Sequence, residues 1–138
     1  MDWRYLFTSF DGRINRTKWW IGAAIVLAIG LAFCTGVFGS FLATLFTLAL
    51  FFPSYALCAK RFQDRDRPGQ TALFGLVPLA IATLLYAWGP TGSTTELSFV
   101  GGICMLVYFG VGLWFLIDLG LLKGTPGQNQ FGGDPLIT

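Results

Sequence analysis

The sequence has no histidine and few charged residues. Only 12% of its 138 residues are charged, about half of the roughly 25% that is typical of soluble domains. The hydrophobic fraction is 54%, and the mean hydropathy is +0.65. A soluble fold of this size buries too small a share of its surface to hide so much apolar area, and disordered chains are polar and rich in charge. The composition therefore excludes both classes and indicates a membrane protein.

The groups on which most catalytic and metal sites depend are also scarce. The absence of histidine removes the commonest general base and the commonest metal ligand. Three cysteines are too few for a disulfide-rich scaffold, and no Cys-x-x-Cys pair occurs. The phosphate-binding pattern Gly-x-x-x-x-Gly-Lys-Ser/Thr is missing as well. We therefore expect a protein that is not an enzyme, with no catalytic residues, no metal and no cofactor.

Long uncharged runs predict the number of membrane spans. The run between Lys18 and Lys60 is about twice as long as the roughly 20 residues of one spanning helix. The runs between Arg67 and Glu96 and between Glu96 and Asp118 are each long enough for one span. We predict an all-α membrane protein, a four-transmembrane-helix bundle that forms a single integral membrane domain over residues 1–138. The predicted spans are about 19–38, 40–59, 71–88 and 97–120.

The lysines and arginines predict the orientation of the bundle. All nine lie before span one, directly after span two or in the tail. In a four-span topology these segments share one side, which the positive-inside rule places in the cytoplasm. We therefore predict that both termini are cytoplasmic. The expected partner of the basic face is the lipid bilayer, through anionic head groups of the inner leaflet, and not nucleic acid.

Residues 1–10 predict a short amphipathic helix in the membrane interface. Apolar side chains share one helical face, with the spacing i, i+3, i+4 and i+7: Trp3, Leu6, Phe7 and Phe10. Such helices lie in the plane of the interface. We expect this helix to orient span one and to end at Gly12, and lipid sensing or partner docking is the alternative.

Small residues in span one predict a helix-packing face. Four of them recur every four residues: Ala24, Ala28, Ala32 and Gly36. In lipid, close backbone approach through small residues supplies helix association. Packing against another span of the same chain is the expected contact, and packing against a second copy is the alternative.

Two prolines and one aspartate lie inside the predicted spans, where these residue types are unfavourable. Pro53 and Pro78 each remove a helical hydrogen bond, and they are expected to kink spans two and three. Asp118, near the inner end of span four, opposes the helix dipole and is costly unless it is paired. Lys60 or Arg61 is the predicted partner by depth. A structural ion pair is the preferred interpretation, and proton or ion handling is the alternative.

Polar residues outside the predicted spans concentrate at about 10–16, 60–69 and 124–135. The topology places all three segments at the cytoplasmic surface, where we predict one polar cluster. Its candidate members are Gly12, Arg13, Arg16, Lys60, Arg61, Asp64, Arg67, Asp118, Asn129 and Asp134. Arginine forks that bind carboxylates would make it a clasp holding the helices together. The alternative is a pocket for an anionic lipid head group or a metabolite.

The same three segments resemble a known family. Residues 10–20 and 124–135 are similar to the motifs of small bacterial inner-membrane proteins grouped as domain of unknown function 805. The middle segment departs from the pattern, above all at Gln63, where the family has a histidine. Because glutamine has no proton to exchange near neutral pH, no titrating role applies at this position. The resemblance implies a multi-span protein of the bacterial inner (plasma) membrane, and it implies no reaction.

Three classes of function remain open. The prediction is a non-enzymatic membrane assembly or interaction module, which binds a second copy of itself or another membrane protein. A subunit of an oligomeric small transporter or channel is the second class, because Pro53, Pro78 and Asp118 could serve a pore between copies. A lipid-binding or lipid-modifying protein is the third, with Asp64, Asp66 and Asp134 as its carboxylates.

Overall fold

The computed structural model describes residues 2–33, 39–88 and 94–136. Across these ranges the chain is helical, apart from turns and a single bridge between Asn129 and Gly132. The helices are α1 (Trp3–Thr8), α2 (Arg16–Phe33), α3 (Gly39–Ala49), α4 (Phe51–Asp64), α5 (Leu73–Trp88) and α6 (Thr94–Phe115). A 3-10 turn, Gly69–Ala72, leads into α5, and a π turn, Leu116–Leu121, continues α6.

Four helical stretches are long and apolar enough to cross a membrane. They are Arg16–Phe33, Phe41–Asp64, Gly69–Trp88 and Phe99–Leu121. Most of their large apolar side chains are exposed, as expected where lipid replaces protein as the neighbour. The predicted all-helical chain with four spans is confirmed. The predicted end of span one at residue 38 lies outside the described residues.

Span two is broken near its middle by a proline. Because Pro53 has no N–H, the carbonyl of Ala49 loses the donor that a regular helix would supply. Helix α3 ends at Ala49, Leu50 forms a turn, and α4 starts at Phe51. The kink predicted for span two therefore coincides with an interruption of the helix. Pro78 differs, because α5 continues through it without interruption.

Helix α2 packs through a different face from the one predicted. Ala24, Ala28 and Ala32 are exposed, whereas Trp19 and Gly22 are buried. A Cβ atom at Gly22 would lie only 2.5 Å from Leu57 Cδ2, so glycine permits the close approach of α2 to α4. The expectation that the alanine row packs within the chain is wrong for these three positions, and Gly36 lies outside the described residues. The large indole of Trp19, which enters the core, sets the rotation of α2.

Helix α1 docks onto the bundle. The Asp2 side chain accepts a hydrogen bond from the Tyr5 N–H at 3.1 Å and caps the helix. Leu6 is fully buried, and Trp3 remains half exposed. The helix ends at Thr8, earlier than predicted. Gly12 lies beyond it in a turn, with φ = +107°, a conformation that disfavours any residue with a Cβ atom.

The buried core lies at one end of the bundle, which we call the polar end. There the N-terminal segment, the last turns of α4 and the tail after α6 meet. The core cluster comprises Leu6, Ile14, Trp19, Leu57, Cys58, Phe62, Ala72, Leu76, Phe115 and Leu119. The polar end is therefore the part of the molecule that is packed like a soluble domain, and it holds the charged residues in place.

Candidate functional site

The middle polar segment is mostly helical and does not form the predicted loop. Lys60, Arg61, Gln63 and Asp64 lie in the last turns of α4, and all four are buried. The connection to the next span shrinks to residues 65–68. The helix extends past the apolar part of span two because neighbouring segments supply partners for these polar groups, as a buried polar group requires.

A buried carboxylate organises the site. Asp64 Oδ1 accepts a hydrogen bond from Arg13 Nε at 3.0 Å, and Asp64 Oδ2 is paired with Arg61 Nη1. The three side chains are at most 4% exposed. Two cations therefore compensate one anion away from water, where an unpaired charge would be very costly. We call Arg13, Arg61 and Asp64 the clasp.

The arginines of the clasp also bind backbone carbonyls of distant segments. Arg13 donates from Nη1 to the carbonyls of Gly127 and Gly132, at 2.6 and 3.2 Å, and from Nη2 to the carbonyl of Thr125 at 2.6 Å. Arg61 donates from Nε to the carbonyl of Leu119 at 2.7 Å and from Nη2 to that of Leu122. The clasp thus joins the N-terminal segment, α4, the π turn and the tail.

The tail in turn caps the C-terminus of α4. The backbone N–H and the hydroxyl of Thr125 both donate to the Asp64 carbonyl, at 2.8 and 3.0 Å. Asn129 Nδ2 donates to the Gln63 carbonyl at 2.9 Å. Both carbonyls belong to the last turn of the helix, where no further helical turn supplies a donor. The Gln63 carbonyl also accepts the Asp66 N–H at 3.1 Å. A Cβ atom at Gly124 would collide with the Asp64 carboxylate, so glycine allows the tail to come this close.

Asp134 holds the end of the tail in a turn. Its carboxylate accepts hydrogen bonds from the N–H groups of Leu136 and Gly127, at 2.9 and 3.0 Å. These two hydrogen bonds lower the pKa of Asp134 from its ordinary value. The carboxylate acts here on the backbone of the tail, as the side chain of a capping residue does.

Asp118 forms a second ionic group, separate from the clasp. Its carboxylate pairs with Arg65 Nη1 and with Arg67 Nη1, the latter at 3.0 Å, and accepts from Trp114 Nε1 at 3.2 Å. The predicted partner, Lys60 or Arg61, is wrong. Lys60 binds carbonyls of α1, and Arg61 pairs with Asp64. The two arginines that pair with Asp118 come from the loop after α4. The predicted cluster does not include Arg65. Its position in the same polar segment as Arg67 is the sequence feature that could have indicated its membership.

Lys60 has a third role. Its ammonium group is fully buried, donates to the carbonyls of Tyr5 and Leu6, and lies 4.6 Å from the centroid of the Tyr5 ring. It therefore satisfies the C-terminal carbonyls of α1 and fixes this helix to α4. No carboxylate of the described residues forms an ion pair with Lys60.

A cavity of about 380 Å³ lies between the first turn of α2 and the tail. Charged groups on its lining are Arg16, Arg61, Asp64, Lys123 and Asp134. Arg16 is exposed and donates from Nη1 to the carbonyl of Leu121 at 3.0 Å. Among the described residues, no three side chains of the metal-ligating types gather into one group. The structure thus divides the ten predicted members among the clasp with its tail contacts, the Asp118 group, the Lys60 contact, the Gly12 turn and the rim of this cavity.

Comparison with known proteins identifies the family. A family model described as protein of unknown function (DUF805) matches residues 7–133. Inner membrane protein YhaI of Escherichia coli is 28% identical, over 94% of this chain and 87% of the relative. Inner membrane protein YhaH of the same organism is 26% identical, over 99% and 98% of the two chains. The uncharacterized protein YiiR is 30% identical, over 95% and 88%.

No solved structure matches this chain. The family match spans the N-terminal, middle and tail segments that meet at the polar end, so it confirms the resemblance drawn from their motifs. The chain belongs to the DUF805 family of proteins of unknown function.

Proposed function

We propose that this protein is a non-catalytic inner-membrane module in which the C-terminal tail locks the polar end of a four-helix bundle on the cytoplasmic side. All nine lysines and arginines lie in the segments that meet at the polar end. The positive-inside rule therefore supports cytoplasmic termini. The membrane placement is supported by the two relatives that are inner membrane proteins.

The observation that carries the proposal is how the clasp uses its polar groups. Asp64 is buried between Arg13 and Arg61. The other N–H groups of both arginines donate to backbone carbonyls. A general acid or base must reach the proton of a substrate. Each oxygen of the Asp64 carboxylate is already paired with an arginine, which supports a structural role.

The Asp118 group supports the same conclusion against a proton- or ion-handling role. Its carboxylate is nearly buried and has Arg65, Arg67 and Trp114 as partners. Two cations flank this one carboxylate, so its charge is balanced within the protein. This geometry is typical of a structural ion pair.

The interaction surface that we propose lies on α2. Ala24 and Ala28 are exposed on the outside of the bundle, and small side chains allow a second helix to approach closely in lipid. The partner would be a second copy or another membrane protein. Native mass spectrometry from nanodiscs measures the copy number. We expect Ala28→Leu to reduce association, and unchanged association would remove α2 from the interface.

The clasp is tested by Asp64→Asn, with Asp66→Asn as the matched control. Asp66 is exposed and has φ = +59°, which asparagine tolerates. Removing one partner of a buried ion pair costs about 3–5 kcal/mol. We therefore expect Asp64→Asn to lower the thermal unfolding temperature and to expose the tail to protease in inside-out vesicles, and Asp66→Asn to do neither.

Two results would contradict the proposal. Equal digestion of the tail in the two variants would show that Asp64 does not hold it. Digestion of the tail from the outside of intact spheroplasts would show that the polar end faces away from the cytoplasm.

A further inference from the structure

We propose that the cavity beside the clasp binds the phosphate group of an anionic phospholipid, whose acyl chains lie along the outer surfaces of α2 and α6. The inference rests on the proposed function in one respect, namely that the polar end faces the cytoplasmic leaflet. The volume of about 380 Å³ falls within the range of small-molecule sites, roughly 300–1,000 Å³.

Arg16 and Lys123, the two cations at the rim, have N–H donors that are free to bind a ligand. Arg16 uses one nitrogen, Nη1, for the Leu121 carbonyl, whereas a guanidinium group carries five N–H donors. Lys123 is exposed and forms no hydrogen bond or ion pair with the described residues. Both residues line the same cavity.

The remaining charges of the lining are already compensated. Arg61 and Asp64 neutralise each other within the clasp. The Asp134 carboxylate accepts two backbone N–H groups, one on each oxygen. Arg16 and Lys123 therefore outweigh Asp134 at the open side of the cavity, and a ligand there meets an excess of positive charge.

The backbone adds a further contribution. Helix α2 begins at the cavity wall, and the N–H groups of Arg16 and Thr17 form no hydrogen bond with the described residues. The Asn15 side chain accepts the N–H of Lys18 at 2.9 Å, and the Asn15 carbonyl accepts that of Trp19 at 3.1 Å. The partial positive charge of a helix N-terminus favours an anion, and it adds here to the two side-chain cations.

The surroundings of the cavity favour a lipid over a soluble phosphate. Arg16 is the first residue of one span, and Lys123 follows the end of another, so both lie at the depth of the lipid head groups. The same two segments carry exposed apolar or aromatic side chains, namely Trp20, Leu121 and Leu122. A phosphate held at the rim would leave acyl chains directly on this surface.

The test measures binding of short-chain phosphatidylglycerol to the full chain in a non-ionic detergent. Phosphatidylcholine of the same chain length and inorganic phosphate serve as comparison ligands. The variants are Arg16→Gln and Lys123→Gln, with Lys18→Gln as the matched control, because Lys18 lies on the same helix and does not line the cavity. We expect saturable binding of phosphatidylglycerol, weakened about tenfold or more by each cavity variant and unchanged by Lys18→Gln.

Three results would overturn the inference. Phosphatidylcholine binding as tightly would exclude recognition of an anionic lipid, and inorganic phosphate binding as tightly would exclude a contribution from the lipid. Equally weakened phosphatidylglycerol binding in Lys18→Gln would show that binding depends on the overall charge of the protein and not on the cavity. Protease resistance of the tail, measured on the same samples, separates the two proposals. A resistant tail without lipid binding contradicts only this inference, whereas a tail that is open in the unmodified protein contradicts the proposed function.

Discussion

Asp64 shows how this small protein keeps a charge in its interior. Burying an ion pair carries a desolvation cost that the Coulomb attraction does not always offset. Here the carboxylate has two arginines, and the remaining arginine donors reach carbonyls that helix ends and tail turns leave unpaired. Each arginine therefore pairs with the carboxylate and also binds backbone carbonyls. Removing any one of the three side chains leaves at least one of the others without a partner in the interior.

Gly124 provides a test at the level of one atom. A Cβ atom at this position would collide with the Asp64 carboxylate, whereas a Cβ atom at Gly133 meets nothing within 4 Å. We expect Gly124→Ala to destabilise the protein by about 1–3 kcal/mol, the usual cost of overpacking. Gly133→Ala should have little effect, and thermal unfolding compares the two variants. Equal unfolding temperatures would show that the tail does not approach Asp64.

Asp134 predicts an acid-sensitive tail. Because its pKa is lowered in the folded protein, its contribution to stability is fully present above the ordinary value of about 3.9. The contribution is lost as the pH falls through the folded pKa. We expect hydrogen exchange at the Gly127 and Leu136 amides, corrected for intrinsic rates, to stay slow down to about pH 4 and to accelerate below it. The same acid response in Asp134→Asn would contradict this assignment.

The membership of the polar site could be predicted from the sequence better than its pairings could. Arg13, Arg61 and Asp64 stand out because they are polar residues next to apolar spans. The pairing of arginines with carboxylates depends on helix rotation and on the π turn at Asp118. Neither feature can be inferred from the positions of charged residues in the sequence. Arg65 was missed for the same reason.

At the scale of elements, glycine decides where helices approach. A Cβ atom at Gly75 in α5 would lie 2.5 Å from Phe115 Cζ, whereas one at Gly112 in α6 meets nothing within 4 Å. We expect Gly75→Ala to lower the unfolding free energy by about 1–3 kcal/mol. Gly112→Ala should be neutral or stabilising by up to about 1 kcal/mol. Unfolding in mixed micelles measures both changes, and a neutral Gly75→Ala would contradict the close contact of α5 and α6.

The number of spans followed from the uncharged runs, but the rotation of α2 did not. This helix is apolar on all sides, so no polar face indicates which side turns inward. The alanine row met the usual criterion for helix packing, yet Trp19 and Gly22 are the residues that face the core. The length of α4 was also underestimated, because its polar last turns find partners only in the folded tail.

On the scale of the whole molecule, tight packing is concentrated at the polar end. The core cluster unites residues from α1 to the π turn, while the large side chains along the spans are mostly exposed to the surroundings. Lipid therefore supplies much of the environment of the spans, and the polar end fixes their relative positions. The clasp is central to this arrangement, since Arg13 contacts residues 51 and 114 positions away in the chain.

The most direct test of the account is a double-mutant cycle between Arg13→Gln and Asp64→Asn, with unfolding free energies measured in mixed micelles. A direct pair predicts that the double variant loses less stability than the sum of the single variants, with a coupling of about 1–3 kcal/mol. Losses that add within about 0.5 kcal/mol would mean that the two side chains do not interact, and they would contradict the clasp.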